Sequence, residues 1–312
     1  MGLINKPHDK FFKETFSDAN TAKDFMVNYL PKDVLALVDL NSLKPQKDSY
    51  IEEDLKETFS DLLFQTKISN EESYIYFLFE HKSYPANKVA IQLLRYMLNI
   101  WNDKGCQKQK DKLPIIIPLV IYHGKAMWNA ELKLSELIQG FDKLPEGVKK
   151  YVPDYEYILY NISKYSDDEI KGNVKLRIFL KVLRDIFGKD YDGFIETIGE
   201  SIKALDKLEE QNKGIEYFET FIRYIMNARN DIKISKVYDI AKDISVERSE
   251  KVMTIAEELI NQGMEKGIEQ GEKQRAISIA KEMLADGEHL EKIIKYSKLP
   301  ESEVLKLKES VD

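Results

Sequence analysis

The chain has 312 residues, 43% of them hydrophobic and 32% charged, which is enough for one large domain or two modest ones and excludes the disordered, collagenous and disulfide-rich classes. A lone cysteine, Cys106, excludes an internal disulfide, and with only four histidines it argues against structural zinc, so oxygen-held metal and a reducing, cytoplasmic location are expected. The net charge of −7 argues against a generic nucleic-acid coat protein, but basic and acidic residues balance at 17 each in 1–125, against 19 and 22 in 126–245 and 11 and 15 in 246–312.

The opening residues, MGLINKPHDKFF, lack a signal-peptide core, and the longest apolar run, Pro114 to Tyr122, is far too short for a membrane span. From His8 to Leu30, aromatic and small residues recur every three or four positions, which predicts one or two amphipathic helices stopped by Pro31. Val34 to Leu43 is short and mixed, and Lys44 to Asp48 reads as a turn. Glu57 to Ile68 and Tyr74 to His81 read as antiparallel strands joined through Ser69-Asn70-Glu71-Glu72. Lys88 to Trp101 is an apolar helix, and Leu113 to Tyr122 has the pattern of a strand buried on both faces. After a short strand at Tyr155 to Tyr160 the chain becomes helical, over Val174 to Phe187, Tyr191 to Leu208, Lys213 to Asn227 and Ile234 to Met253. The expected organisation is a compact α/β unit followed by an all-helical remainder.

The last segment, 246–312, has a different character. Gly263, Gly267 and Gly271 recur every four residues in a charged, otherwise helical stretch, and helices at Ala276 to Ala285, Glu288 to Tyr296 and Glu301 to Lys308 follow. Glycine in a helix costs roughly 1 kcal/mol relative to alanine, so the spacing points either to close approach by another helix or to a frayed connector. Self-association through 246–312 is the expectation, with helix-turn-helix binding to DNA less favoured in so acidic a segment.

The stretch richest in candidate chemistry is Asp61 with Glu80-His81-Lys82. Carboxylates on neighbouring strands can hold a hard divalent cation through oxygen, and a nearby lysine can stabilise the charge that builds on a phosphorus transition state. Charged residues closing an apolar strand are equally what a strand running out into solvent looks like. In the next helix Gln92 and Tyr96, four apart, share a face and could converge on the same site, or be a helix-boundary residue and a core tyrosine. His123, at the end of a strand, could touch DNA or water, or simply fill a turn. No GxxxxGK[ST], GxSxG or HExxH motif is present.

Taken in order, Asp61, Glu80-x-Lys82 and Gln92-x-x-x-Tyr96 resemble the PD-(D/E)XK nuclease superfamily with the glutamine-tyrosine motif of its RecB-like branch. His8-Asp9-x-x-Phe12-Lys13, Ser60-Asp61-Leu62, Tyr76-x-x-x-Glu80-His81-Lys82-Ser83 and Pro118 to Gly124 with Trp128 resemble the Rpn family of recombination-promoting nucleases, also classed as transposases, over most of the chain.

The resemblance implies a restriction-endonuclease-like αβββαβ core over 1–165, a helical extension over 166–245 and the tail at 246–312. It implies Mg²⁺-dependent, or Mn²⁺-dependent, endonucleolytic cleavage of DNA in a bacterium, in recombination, mobile-element movement or defence. Asp61 and Glu80 would be metal ligands, the backbone carbonyl of His81 a third, Lys82 the catalytic lysine, and Gln92 and Tyr96 members of the site. Some superfamily members add an acidic ligand on the first helix, where this chain has Glu14. Many Rpn-like sequences carry glutamine in place of Lys82, and the lysine here agrees better with the wider superfamily. A catalytically idle protein acting through its helical tail is the alternative, although an inactivated relative would be expected to have lost Asp61, Glu80 or Lys82.

Overall fold

Aromatic residues at helical spacing build the first layer. The computed structural model describes residues 7–46, 60–80, 88–102, 112–209 and 215–309. Helix α1 (Pro7–Phe16) buries Phe11, Phe12 and Phe16 almost completely, each contributing roughly 1.5–3 kcal/mol of apolar transfer. Helix α2 (Ala19–Tyr29) starts at Asp18, whose carboxylate accepts from the Asn20 N–H at 3.0 Å, and ends before Pro31.

Five strands follow, β1 (Val38–Pro45), β2 (Ser60–Ile68), β3 (Glu71–Glu80), β4 (Ile115–Tyr122) and β5 (Ile158–Asn161), in one sheet of order β1-β2-β3-β4-β5. The first three are antiparallel and the last three parallel. Helix α3 (Val89–Asn102) lies between β3 and β4 in sequence, as a parallel pair requires. The order α-β-β-β-α-β is thus present, with β5 added at the far edge.

Strand β1 departs from the mixed and turn-like reading of 34–48. A bulge between Asp39 and Lys44 destroys its alternation, only Val38 and Leu43 are buried, and Pro45 is tolerated because the strand lies at the sheet edge. Residues 47 and 48 of the expected turn lie outside the described residues. Strand β4 is buried only from Pro118 onward, because β5 covers just Leu119 to Tyr122.

Each face of the sheet has its own cover. Leu63, Tyr76 and Val120 pack against Leu93, Tyr96 and Ile100 of α3. On the other face Phe64, Ile75, Leu119 and Ile121 are fully buried, and α1 packs on β2. Helices α4 (Val174–Gly188), α5 (Tyr191–Glu209), α6 (Ile215–Ala228) and α7 (Ile234–Ile244) complete this unit. Phe11 stacks on Tyr224 of α6 at 4.1 Å between ring centroids, and Asp185 of α4, buried, accepts from Arg184 Nε and the Thr197 hydroxyl at 2.6 Å each.

The helix expected over 234–253 is broken at Ser245, whose extended backbone separates α7 from the 40-residue α8 (Val246–Ala285). The glycine-spaced stretch and the helix expected at 276–285 are both part of α8. It ends in a Schellman motif, with Gly287 at φ +72°, its N–H donating to Leu284 O at 3.1 Å and the Glu288 N–H to Met283 O at 3.0 Å. Helices α9 (Leu290–Ser297) and α10 (Glu301–Glu309) follow, and Ala280, Ile293, Leu299 and Val304 form a small core. The chain divides into two compact units, Lys6–Val252 and a second containing Met253–Asp312. Among the described residues no helix is long and apolar enough to cross a membrane.

Only two residues separate β2 from β3. Ser69 (φ 52°) and Asn70 (φ 66°) both adopt the left-handed conformation of a type I′ turn, tighter than the four-residue loop expected from sequence. Replacing them with Asn-Gly (Ser69→Asn with Asn70→Gly) should relieve strain and stabilise the protein by about 1 kcal/mol. A higher urea midpoint with an unchanged slope would show this.

Candidate active site at the C-terminal ends of the parallel strands

The β2/β3 ladder pairs Ser60 with Phe79, Asp61 with Leu78, Leu63 with Tyr76, and so on to Ile68 with Glu71. Asp61 and Glu80 are therefore diagonal neighbours, because Glu80 stands two positions beyond the partner of Asp61. Such positions are about 7–8 Å apart and belong to one face of the sheet. Alternation assigns them to the same face as Leu63 and Tyr76, the face that α3 covers. Glu80 in turn pairs with Tyr122, and Tyr122 with Asn161. The start of β2 and the ends of β3, β4 and β5 thus lie along one edge. His81 and Lys82 lie outside the described residues.

Helix α3 is oriented toward this edge. Trp101 Nε1 donates to the Pro114 carbonyl at 2.9 Å, which fixes the helix C-terminus beside the start of β4 and its first turn at the opposite end, where the parallel strands finish. Gln92 sits near that first turn. It is half-buried, and its amide nitrogen is closed to solvent with no hydrogen-bond partner among the described residues. A buried amide donor of this kind leaves about 1–3 kcal/mol of hydrogen-bonding free energy unrealised until an acceptor arrives. Tyr96, one turn further along, is a core residue: it is 1% exposed and its ring lies 5.3 Å from that of Tyr76.

Glu14 is elsewhere. Six residues beyond His8, or about 9 Å along α1, it is exposed and paired with Lys10 at 3.5 Å.

Behind the same edge, on the opposite face, lies a cluster that the sequence did not reveal. His123, fully buried, stacks on Phe187 at 5.6 Å and faces His8 at 5.0 Å; burial closes it to direct contact with DNA. His8 Nδ1 and the Tyr224 hydroxyl share a 2.9 Å hydrogen bond, and burial, with Tyr217 nearby, holds the Tyr224 phenol well above its ordinary pKa and therefore protonated. The only sequence signal was the His8-Asp9-x-x-Phe12-Lys13 motif, which assigned no role to His8. The strand end itself is fixed by Tyr122, whose hydroxyl donates to the Ala126 carbonyl at 2.7 Å while Trp128 packs edge-on at 4.9 Å.

Fold and edge together define an α/β protein with two acidic positions at the C-terminal end of a parallel strand pair, where open α/β sheets bind their ligands. The family described as "Putative transposase, YhgA-like" matches residues 6–213, and the chain belongs to that family. It is 27% identical over 299 residues to recombination-promoting nuclease RpnA of Escherichia coli (strain K12), covering 96% of both chains. It is 27% identical over 258 residues to recombination-promoting nuclease RpnD of Escherichia coli O157:H7, covering 82% of this chain and 94% of the relative. It is also 26% identical over 303 residues to the inactive recombination-promoting nuclease-like protein RpnE of strain K12, covering 96% of this chain and 97% of the relative. No solved structure matches.

The contrasting settings of Gln92 and Tyr96 have measurable consequences. Tyr96→Ala should cost about 3–5 kcal/mol of stability by opening a cavity under α3. Gln92→Ala should be near neutral or slightly stabilising, since it removes a buried donor with no described partner. Thermal and urea denaturation of the two variants would check the contrast.

Proposed function

We propose that this protein is a metal-dependent endonuclease that hydrolyses phosphodiester bonds in DNA by PD-(D/E)XK chemistry. The observation that carries this reading is the β2/β3 register, which makes Asp61 and Glu80 diagonal neighbours on one face at the edge where the parallel strands end. Two carboxylates in that relation suit Mg²⁺ or Mn²⁺, which prefer oxygen donors, with the His81 carbonyl as a further oxygen. When bound, such an ion lowers the pKa of a coordinated water and polarises the phosphoryl oxygen.

The chain's own residues have separable tasks. Asp61 and Glu80 bind. Lys82, a compact positive charge, opposes the negative charge that develops on the phosphoryl group. Gln92 offers its buried amide nitrogen to an acceptor at the site, and Tyr96 holds the helix that carries it. Kinship with two proteins named recombination-promoting nucleases supports the reading.

A second reading has one observation in its favour: RpnE, matched over nearly its whole length, is named inactive. In that case the protein would act as an interaction module through its helical tail. The presence of Asp61, Glu80 and Lys82 together favours the enzyme.

Plasmid nicking by the purified protein should require Mg²⁺ or Mn²⁺ and stop in EDTA. Asp61→Ala and Glu80→Ala should each abolish it without unfolding the protein. Lys82→Ala should slow it by roughly 10²–10³, by analogy with other preorganised electrostatic contacts, and Lys82→Gln by less. Nicking by Glu80→Ala at the wild-type rate would overturn the site and favour the interaction module.

We also infer self-association through residues 246–312. In α8, Ile260, Met264 and Ile268 are more than half exposed at four-residue spacing, and Gly267 and Gly271 beside them have open space where a side chain would be. An exposed apolar and glycine stripe allows a second helix to approach closely. Light scattering at tens of micromolar should show a dimer or larger species that Met264→Glu weakens. A wild-type protein that stays monomeric would contradict it.

A further inference from the structure

We propose that the segments following β4 and β5 form the surface that holds the DNA backbone beside the candidate site, with Lys125 and Lys164 as its phosphate contacts. The identity of the polyanion rests on the nuclease reading; the surface is argued from its own residues. Each parallel strand is followed closely by a lysine: Lys82 two residues after β3, and Lys125 and Lys164 each three residues after β4 and β5. Adjacent strands are about 4.8 Å apart, so the ends of β4 and β5 bring the segments carrying Lys125 and Lys164 side by side along one edge.

The last two segments are tied together. Ser163 Oγ donates to the Gly124 carbonyl at 2.9 Å, and Lys125 and Lys164 are the next residues on either side of that bond. Both lysines are exposed, whereas the turn beneath them is anchored by the buried His123. A fixed base carrying exposed lysines is what backbone binding needs, since phosphate contacts set position rather than sequence.

Charge pairing separates these two lysines from others in the same unit. Lys133 pairs with Glu156, Lys175 with Asp18, Lys181 with Glu200 and Lys189 with Asp185. Neither Lys125 nor Lys164 has an ion-pair partner among the described residues; Lys125 Nζ lies 5.8 Å from the centre of the Phe187 ring, which positions the group without neutralising it. In a protein of net charge −7, affinity for a polyanion has to come from such local, unneutralised positions.

Counterion release supplies the test. Binding of the full-length protein to a fluorescein-labelled 20-base-pair duplex of arbitrary sequence would be followed by anisotropy in EDTA, where cleavage is stopped, from 50 to 200 mM salt. The double variant Lys125→Ala/Lys164→Ala should weaken binding and reduce the slope of log K against log salt by about 2, roughly one for each phosphate no longer neutralised. Lys203→Ala/Lys207→Ala, which removes two exposed lysines from α5, should leave the slope at the wild-type value. An unchanged slope in the first pair, an equal fall in the second, or no duplex binding by the wild type would each overturn the proposal. Thermal melting of both doubles at the wild-type temperature separates weakened binding from impaired folding, with Lys125→Gln/Lys164→Gln as the replacement pair if the first double melts early. Glu80→Ala separates the two readings: it should keep the wild-type salt slope while losing nicking. If it nicks normally while the lysine pair still shows the reduced slope, the catalytic assignment falls and the surface stands.

Discussion

The register between β2 and β3 is the constraint on which the rest of the structure depends. Side chains in a strand alternate between faces with period two, so the pairing of Asp61 with Leu78 decides which face carries Asp61 and, two positions on, where Glu80 stands relative to it. That register is set at the far end of the hairpin, by two left-handed residues. A one-residue slip would move one acidic position to the face covered by α1 and leave the other under α3. Leu63 and Phe64 are buried on opposite faces of β2, and Tyr76 and Ile75 on opposite faces of β3, so a slip of either strand is costly because its apolar side chains would change sides together.

The parallel half of the sheet does a different job. It brings the ends of three strands and the first turn of α3 to one edge, so residues distant in sequence meet there without any loop having to reach across the sheet. The two faces behind that edge differ in character. One holds Gln92 and the packed Tyr76 and Tyr96 rings, and the other holds the His8, His123 and Tyr224 cluster. Polar groups on the first side include the Gln92 amide nitrogen, which has no hydrogen-bond partner among the described residues. Those on the second are closed in by aromatic rings and fix the strand end from behind.

Much of this was legible in the sequence, for physical reasons. Helices with strong three- and four-residue spacing, such as 89–102 and 174–188, and strands of β-branched and aromatic residues, such as β3, announce themselves because burial on one face leaves a periodic trace. Strand β1 left none, since an edge strand with a bulge buries only two residues. Ser245 gave no breaker signal, and the glycines of α8, which left a frayed connector as one of two readings, lie within one continuous helix. Candidate site residues of one hairpin and one helix could be grouped from sequence because they are near one another in the chain. The partnership of His8 with Tyr224, 216 residues apart, was not, because no local pattern encodes a contact at that range.

That same contact bears on the order in which the molecule can be completed. Helix α1 is the first element to be made, yet Phe11 stacks on Tyr224 and the Thr15 hydroxyl shares a hydrogen bond with that of Tyr217, both on α6. At about 5–20 residues per second, α6 is synthesised roughly 10–40 s after α1. During that interval the sheet and α4 can form and cover Phe12 and Phe16, but the side of α1 that carries Phe11 and Thr15 lacks its α6 partner. The strand ends anchored through His8 and His123 are finished only when most of the chain has been made. A nascent chain would therefore pass most of its synthesis with an unfinished edge, and acquire a finished one late.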